Sequence, residues 1–215
     1  MAPYARLEIA VILAVGAIGT VIVGYFLAWW ALVPAVVALA LLSFYRDPPR
    51  RSPSEPNLVL APADGKVVEI ARDAKGPSGE PTLRIMIFLS VFDVHINRSP
   101  CAGRVRETRY RRGRFINALR AEAGTENEHN VIAIEPASPL PGPITVRQIA
   151  GVLARRIVCA VRPGDTLTAG QRVGMIKLGS RTEVSLPEQP GWEVCIAVGQ
   201  HVKAGLTVLA RLRPA

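Results

Sequence analysis

From Leu7 to Tyr45 the chain runs for 39 residues with one charged side chain, Glu8. A membrane-spanning helix takes about 20 apolar residues at about 1.5 Å each. As one helix this run would measure about 58 Å, too long for a single crossing. Two short spans fit, at 8–24 and 27–44. The break falls near Gly24 and Trp29-Trp30, since tryptophan favours the interface. A re-entrant hairpin that embeds without crossing fits the same run. A signal peptide does not, because its apolar core covers only about 7–15 residues. Arg6 precedes the run and Arg46, Arg50 and Arg51 follow it. Basic flanks at both ends place both on the cytoplasmic side. The expectation is a cell (inner) membrane protein whose larger domain faces the cytoplasm.

Arg6 and Glu8 cancel, so the whole net charge of +9 sits on residues 46–215. Those 170 residues are enough to bury a real core. A chain 49% hydrophobic and 20% charged is not disordered. Cys101, Cys159 and Cys195 are odd in number, widely spaced and without a CxxC pair. They read as small buried residues in a reducing compartment rather than as a disulfide scaffold.

Residues 46–56 read RDPPRRSPSEP, with four prolines in eleven positions. This is an extended, helix-hostile linker. Short β-type runs follow at 57–60, 66–70, 83–89, 131–134, 144–149, 157–161, 172–176, 183–186, 194–198 and 207–211. Most are bounded by Gly, Pro or Asp-Gly turns. Phe115 to Glu122 is the one short helix expected in this part. The fold class is mainly β (β-rich α+β), a flattened barrel or sandwich behind an N-terminal transmembrane or re-entrant helical hairpin. The divisions are 1–45, 46–56 and 57–215.

A repeat runs through the second half. Gly164 to Val173 and Gly199 to Val208 both read G-x-x-[LV]-x-A-G-x-x-V, 35 residues apart. Paired turns of this kind occur in the flattened barrels that carry biotin or lipoate. A membrane-tethered module of that shape, without enzymatic activity, is the alternative reading. Met175-Ile176-Lys177 matches a carrier's Met-Lys pair poorly, so the repeat reads as architecture.

Several short patterns carry chemistry. Pro62-Ala63-Asp64-Gly65 opens a strand, and Asp-Gly is also a common turn. Asp93 to Pro100 (DVHINRSP) closes an apolar strand with a polar cluster, and its His95 is the best general-base candidate near neutral pH. Glu126 to Asn130 (ENEHN) either forms a solvated loop or lines a site with acids and amides. No HxH, HxxxH or Cys pair accompanies His95 and His129, so no metal is expected. Gly179-Ser180 is the pair suited to an N-to-O acyl shift. Glycine leaves its carbonyl open, and the serine oxygen is already beside it. Six arginines lie between Arg104 and Arg114. Beside a membrane hairpin they suit anionic lipid headgroups better than nucleic acid, at about 1 kcal/mol each. Phe115, Ile116 and Leu119 would then dip into the interface.

Taken in order, PADG at 62–65, FLSVFDVHINRSP at 88–100, YRRGRFINA at 110–118, ENEHN at 126–130 and KLGSR at 177–181 resemble the short-form phosphatidylserine decarboxylases. Archaetidylserine decarboxylases are close relatives of these. The resemblance implies a proenzyme. Ser180 attacks the Gly179 carbonyl, and elimination from the resulting ester frees a β chain, 1–179. The dehydroalanine left at position 180 hydrolyses to a covalent pyruvoyl group that caps an α chain, 180–215. The two chains stay together as a heterodimer, and exposed sheet edges would let that unit dimerise. The pyruvoyl carbonyl condenses with the serine amine of phosphatidylserine and takes up electrons as carbon dioxide leaves. By motif, Asp64 and His95 complete the catalytic set, with Asp64 orienting His95. Arg98, Asn97, Asn127 and His129 fall at substrate-binding positions. Two departures stand out: Arg98 occupies the place of a second histidine, and His129 stands where the family pattern has arginine.

Overall fold

The computed structural model describes residues 1–76, 79–120, 122–152, 156–177 and 180–213. The chain divides into two units, Met1–Pro48 and Pro49–Ala215. The first is a helical hairpin of α1 (Arg6–Leu27) and α2 (Leu32–Phe44), joined by a 3-10 turn at Ala28–Ala31. The turn carries Trp29-Trp30, where the sequence places the break. The arms meet through small residues. A Cβ on Gly16 would lie 2.6 Å from that of Ala38, and one on Gly19 would lie 3.4 Å from that of Pro34. With 22 residues, α1 is about 33 Å long and apolar enough to cross a membrane. With 13 residues, α2 is about 20 Å and does not reach across a hydrocarbon core of about 30 Å. The expected second span of 27–44 is therefore corrected, because the tryptophan turn takes up its first residues. Leu7, Tyr25 and Trp29 are exposed, part of an outward-facing apolar surface.

The second unit is built from strands. They are β1 (Leu58–Leu60), β2 (Gly65–Lys75), β3 (Pro81–Leu89), β4 (Ile96–Arg98), β5 (Gly103–Arg111), β6 (His129–Pro136) and β7 (Ile144–Ala150). Then come β8 (Arg156–Cys159), β9 (Thr166–Leu167), β10 (Arg172–Lys177), β11 (Ser180–Pro187), β12 (Trp192–Val194), β13 (His201–Val202) and β14 (Val208–Leu212). Nine of the ten expected β runs fall largely within strands; of 194–198 only Val194 does, at the end of β12. The arginine-rich stretch is itself a strand, β5. The mainly β fold class holds. The large sheet runs β13-β2-β3-β11-β7-β6-β5-β9, and two three-stranded sheets run β1-β14-β12 and β4-β10-β8. On the large sheet's inner face, Ile85, Ile87, Ile132, Val146 and Val184 are fully buried. Strand alternation sends Arg84, Arg147, Arg181 and Glu183 to the outer face.

Two runs of strands follow the same chain order: β1, β2, β3, β11, β12, β13 and β14 correspond in turn to β4, β5, β6, β7, β8, β9 and β10. This one correspondence reverses the large sheet end to end and turns β1-β14-β12 into β4-β10-β8. Backbone bonds follow suit. Leu60 N donates to Pro100 O at 2.8 Å, and Arg98 N to Pro62 O at 2.9 Å. Gly205 N donates to Ala61 O at 2.8 Å, and Gly170 N to Ser99 O at 2.9 Å. Gly164, Gly170, Gly199 and Gly205 all have positive φ, between +70° and +97°, a backbone region that favours glycine. The sequence repeat is thus the trace of two interlocked halves, β4–β10 and β1–β3 with β11–β14. Lys177 is buried, so it is no exposed carrier lysine.

The helix expected at 115–122 does not form among its described residues. A single helical turn, α3, lies at Ala123–Glu126 instead. The Asn127 amide takes the Ile116 N–H at 3.0 Å and donates to Ile116 O at 2.8 Å. Arg181 Nη1 claims the carbonyls of Ala118 and Arg120 at 3.0 and 3.2 Å. These contacts divert backbone groups that a helix would need.

Candidate active site

Ser180 is the first residue of β11, registered between Leu89 of β3 and Ala150 of β7. It is fully buried. Its Oγ has no hydrogen-bond partner among the described residues. A buried hydroxyl left unpaired costs about 1–3 kcal/mol, and such groups mark strain or chemistry. Leu178 and Gly179, including the proposed scissile carbonyl, lie outside the described residues.

His95 flanks the strand that leads into this joint. Its carbonyl accepts the Ile176 N–H at 3.3 Å, and Ile96 pairs with Met175. The ring is fully buried, with Nδ1 2.9 Å from the Asp93 carbonyl. A carbonyl only accepts, so Nδ1 carries the proton and Nε2 is the basic nitrogen of the neutral ring. The loop that supplies this carbonyl is tied by the Asp93 carboxylate, which takes Ser90 N–H and Oγ–H at 2.8 Å each.

Asp64 does not hold the histidine. Its carboxylate accepts both Nη atoms of Arg50, at 2.5 and 2.8 Å, and the Ala204 N–H at 2.8 Å. Arg50 also donates to Ala204 O at 2.8 Å. The orienting contact of His95 is thus the Asp93 carbonyl, and Asp64 clamps linker to turn. Arg50, read as a membrane flank, is spent here. Gly65 next door has φ +144°, and a Cβ there would lie 2.1 Å from Phe88 O. Gly65→Ala is expected to lower Tm by more than about 5 °C in a thermal melt.

Beneath Ser180 runs a buried polar chain in which Asn97 and Asn130, both marked in the sequence, are joined by Gln148 and Thr182, which sequence reasoning missed. Asn130 Nδ2 donates to Gln148 Oε1 at 2.9 Å, and Gln148 Nε2 donates to Asn97 Oδ1 at 2.9 Å. Asn97 Nδ2 donates to Thr182 Oγ1 at 3.2 Å. Asn130, Gln148 and Thr182 are cross-strand neighbours on β6, β7 and β11. Each stands at an inward position whose companions are apolar: Ile132 and Ile134, Ile144 and Val146, Val184 and Leu186. Three polar breaks in that parity at the same end of adjacent strands were the available signal. A satisfied network of this kind is rigid and fixes the strand that carries Ser180.

The other expected site residues are divided between the two faces of the sheet. Arg98 is buried and donates from Nη1 to Gly170 O at 3.0 Å. Asn127 bonds Ile116 and donates to Ala150 O at 2.7 Å, pinning the loop that crosses the outer face. Arg181, another missed residue, pairs with Glu183 at 2.8 Å and ties down the same loop. His129 lies on that outer face. Its Nδ1 is 2.7 Å from Asn127 O, and its Nε2 is 3.3 Å from Arg147 Nη2. Nδ1 therefore carries the proton and Nε2 accepts from arginine, which suits only a neutral ring.

Burial foremost, with the Arg147 and Arg111 charges, pulls the His129 pKa below its ordinary value, against the Asn127 carbonyl and Glu183. The unfolded chain therefore takes up this proton first. Stability is expected to fall as pH drops below about 6.5. Denaturant titrations at neutral and mildly acidic pH should show a smaller loss for His129→Gln.

A mostly apolar hollow of about 320 Å³ opens at the end of β3 whose Leu89 pairs with Ser180, lined by Phe88, Leu89, Ser90, Asn117, Ala118 and Val152 among others. Fold and site together define a β-rich enzyme centred on a buried serine, with a histidine beside the strand that leads to it. The sequence profile of phosphatidylserine decarboxylase matches residues 37–210. The phosphatidylserine decarboxylase proenzyme of Solidesulfovibrio magneticus is 46% identical over 184 residues, covering 83% of this chain and 84% of that protein. The proenzyme of Rhodopirellula baltica is 44% identical over 214 residues, 97% of this chain and 88% of the relative. That of Burkholderia vietnamiensis is 40% identical over 212 residues, 98% and 93%. The chain belongs to the phosphatidylserine decarboxylase family.

Proposed function

We propose that the chain is a self-processing, pyruvoyl-dependent decarboxylase that converts phosphatidylserine to phosphatidylethanolamine and carbon dioxide in phospholipid biosynthesis. The observation that carries this reading is the Ser180 hydroxyl, buried and unpartnered among the described residues. Its Oγ attacks the Gly179 carbonyl while His95 Nε2 takes the hydroxyl proton. The cut yields 1–179 and 180–215, which stay together because β11 pairs with β3 and β7 along its length. Residue 180, buried at the head of β11, would carry the pyruvoyl group, which would supply a carbonyl that accepts electrons as carbon dioxide leaves. His95 then returns a proton to the substrate carbon. Arg98 holds the substrate carboxylate or phosphate. Asn97 acts through Thr182 and Asn127 through the loop it pins, while His129 lies with Arg147 on the outer face, away from the reacting serine.

The membrane side of the reading rests on the apolar hairpin and the mouth of the cavity. Phe92 is 83% exposed, and Val152 and Leu119 are 55% each. Such a rim seats in a lipid interface while β5 arginines meet anionic headgroups. Arg46 and Arg51 remain as basic flanks for a cytoplasmic orientation. The test is to incubate the purified chain with phosphatidylserine vesicles and measure ethanolamine lipid and carbon dioxide. Intact mass is recorded on the same sample. Turnover by a chain that is still 23.1 kDa and unbroken would overturn self-processing, and no product from cut protein would overturn the substrate.

A further inference from the structure

We infer that the outer face of the central sheet holds a second site, specific for a phosphate oxyanion, formed by Lys75, Arg84, Arg111 and Arg147. These residues come from β2, β3, β5 and β7 and line a cavity of about 420 Å³ together with His129 and Glu183. Arg109 joins them, so five cations face one carboxylate. Two of the five are engaged by exposed acids: Arg84 with Glu69 at 2.9 Å, and Arg109 with Glu107 at 2.8 Å. Glu183 is shared between Arg181 at 2.8 Å and Arg147 at 3.7 Å. Lys75 and Arg111 have no carboxylate partner among the described residues.

The cup is therefore short of negative charge. Burial, with the Arg181, Arg84 and Arg111 charges, pulls the Arg147 pKa down against the pull of Glu183. The Nε atoms of Arg84 and Arg147 are buried without a hydrogen-bond partner. An anion seated here offsets that repulsion through charge-assisted bonds. Cations arriving from four strands suit a tetrahedral oxyanion better than a planar carboxylate, which one arginine fork already satisfies.

This is not the place of the substrate's own phosphate. Ser180 faces inward and Glu183 outward, about 10 Å further along β11. The phosphate of a serine lipid is only two carbons from the reacting amine and cannot pass through the sheet. The inference therefore goes beyond the decarboxylase reading, and its test reads binding rather than turnover.

The full chain in detergent micelles is titrated with inorganic phosphate by calorimetry. In parallel, the chain is bound to phosphatidylcholine vesicles with and without phosphatidic acid. Lys75→Ser/Arg84→Gln is compared with Arg162→Ser/Lys203→Ser, which removes the same charge from exposed positions outside both the cavity and β5. Thermal melts identify folded variants, and Lys75→Ser alone replaces the double variant if that one unfolds. Saturable phosphate binding that weakens about tenfold in the cavity variant and less in the control supports the site with a free oxyanion as ligand. No phosphate binding, but phosphatidic acid binding lost more in the cavity variant than in the control, supports a headgroup ligand. Equal losses in both variants, or no saturable binding of either probe, overturns the site.

Discussion

A Ser180→Ala chain is expected to run as one band at 23.1 kDa, where the wild type gives pieces of residues 1–179 and 180–215. Decarboxylation should fall below detection. The substitution removes one buried oxygen that has no hydrogen-bond partner among the described residues, so the uncut fold loses nothing, and the melt of this unbroken chain should match or exceed that of the cut wild type. That combination, more stable yet dead, separates a chemical role from a structural one. His95→Gln should slow the cut by about 10²–10⁴-fold, the usual contribution of a positioned base. The two variants differ in kind. The histidine variant still cuts on long incubation and the alanine variant never does. Time courses on denaturing gels, with mass spectrometry of the new N-terminus, decide it. A wild-type rate of turnover from the alanine chain would end the proposal.

The sequence exposes local features of this protein well. Alternation and turn residues locate strands such as Leu83–Leu89 and Ile144–Ile149, because those signals lie within each segment. The glycine repeat is visible for the same reason: its φ values are demanded locally. What the sequence hides is pairing between distant segments. β3 and β11 are neighbours although about ninety residues separate them, so the sheet of two interlocked halves does not read from order alone. The Phe115–Glu122 pattern suits a helix until the Asn127 and Arg181 side chains claim its backbone groups. Gln148 and Thr182 are ordinary polar residues until their inward parity is compared across three strands. The candidate chemistry at Ser180 and His95 was legible because five motifs kept their order, whereas the use of Asp64 depended on Arg50, a residue that read as a membrane flank.

That pairing makes the second large prediction. Asp64→Ala strands the Arg50 guanidinium, whose side chain is 6% exposed, and also strips the Ala204 N–H of its acceptor. Breaking a buried ion pair by removing one partner costs about 3–5 kcal/mol, so Tm should drop by about 10 °C or more. Arg50→Ala should cost a similar amount by leaving the carboxylate buried. If the clamp is Asp64's whole task, Arg50→Met/Asp64→Leu should recover much of that stability, since an apolar pair of similar volume replaces a buried ion pair at little net cost. Self-cleavage should return with it, because the His95 ring takes its orientation from the Asp93 carbonyl and not from this carboxylate. Circular dichroism melts and gel-monitored cleavage of the four chains decide between these outcomes. A double variant that regains its Tm but still fails to cut would assign the Asp64 carboxylate to the reaction itself, and the clamp would then be a second duty of a catalytic group.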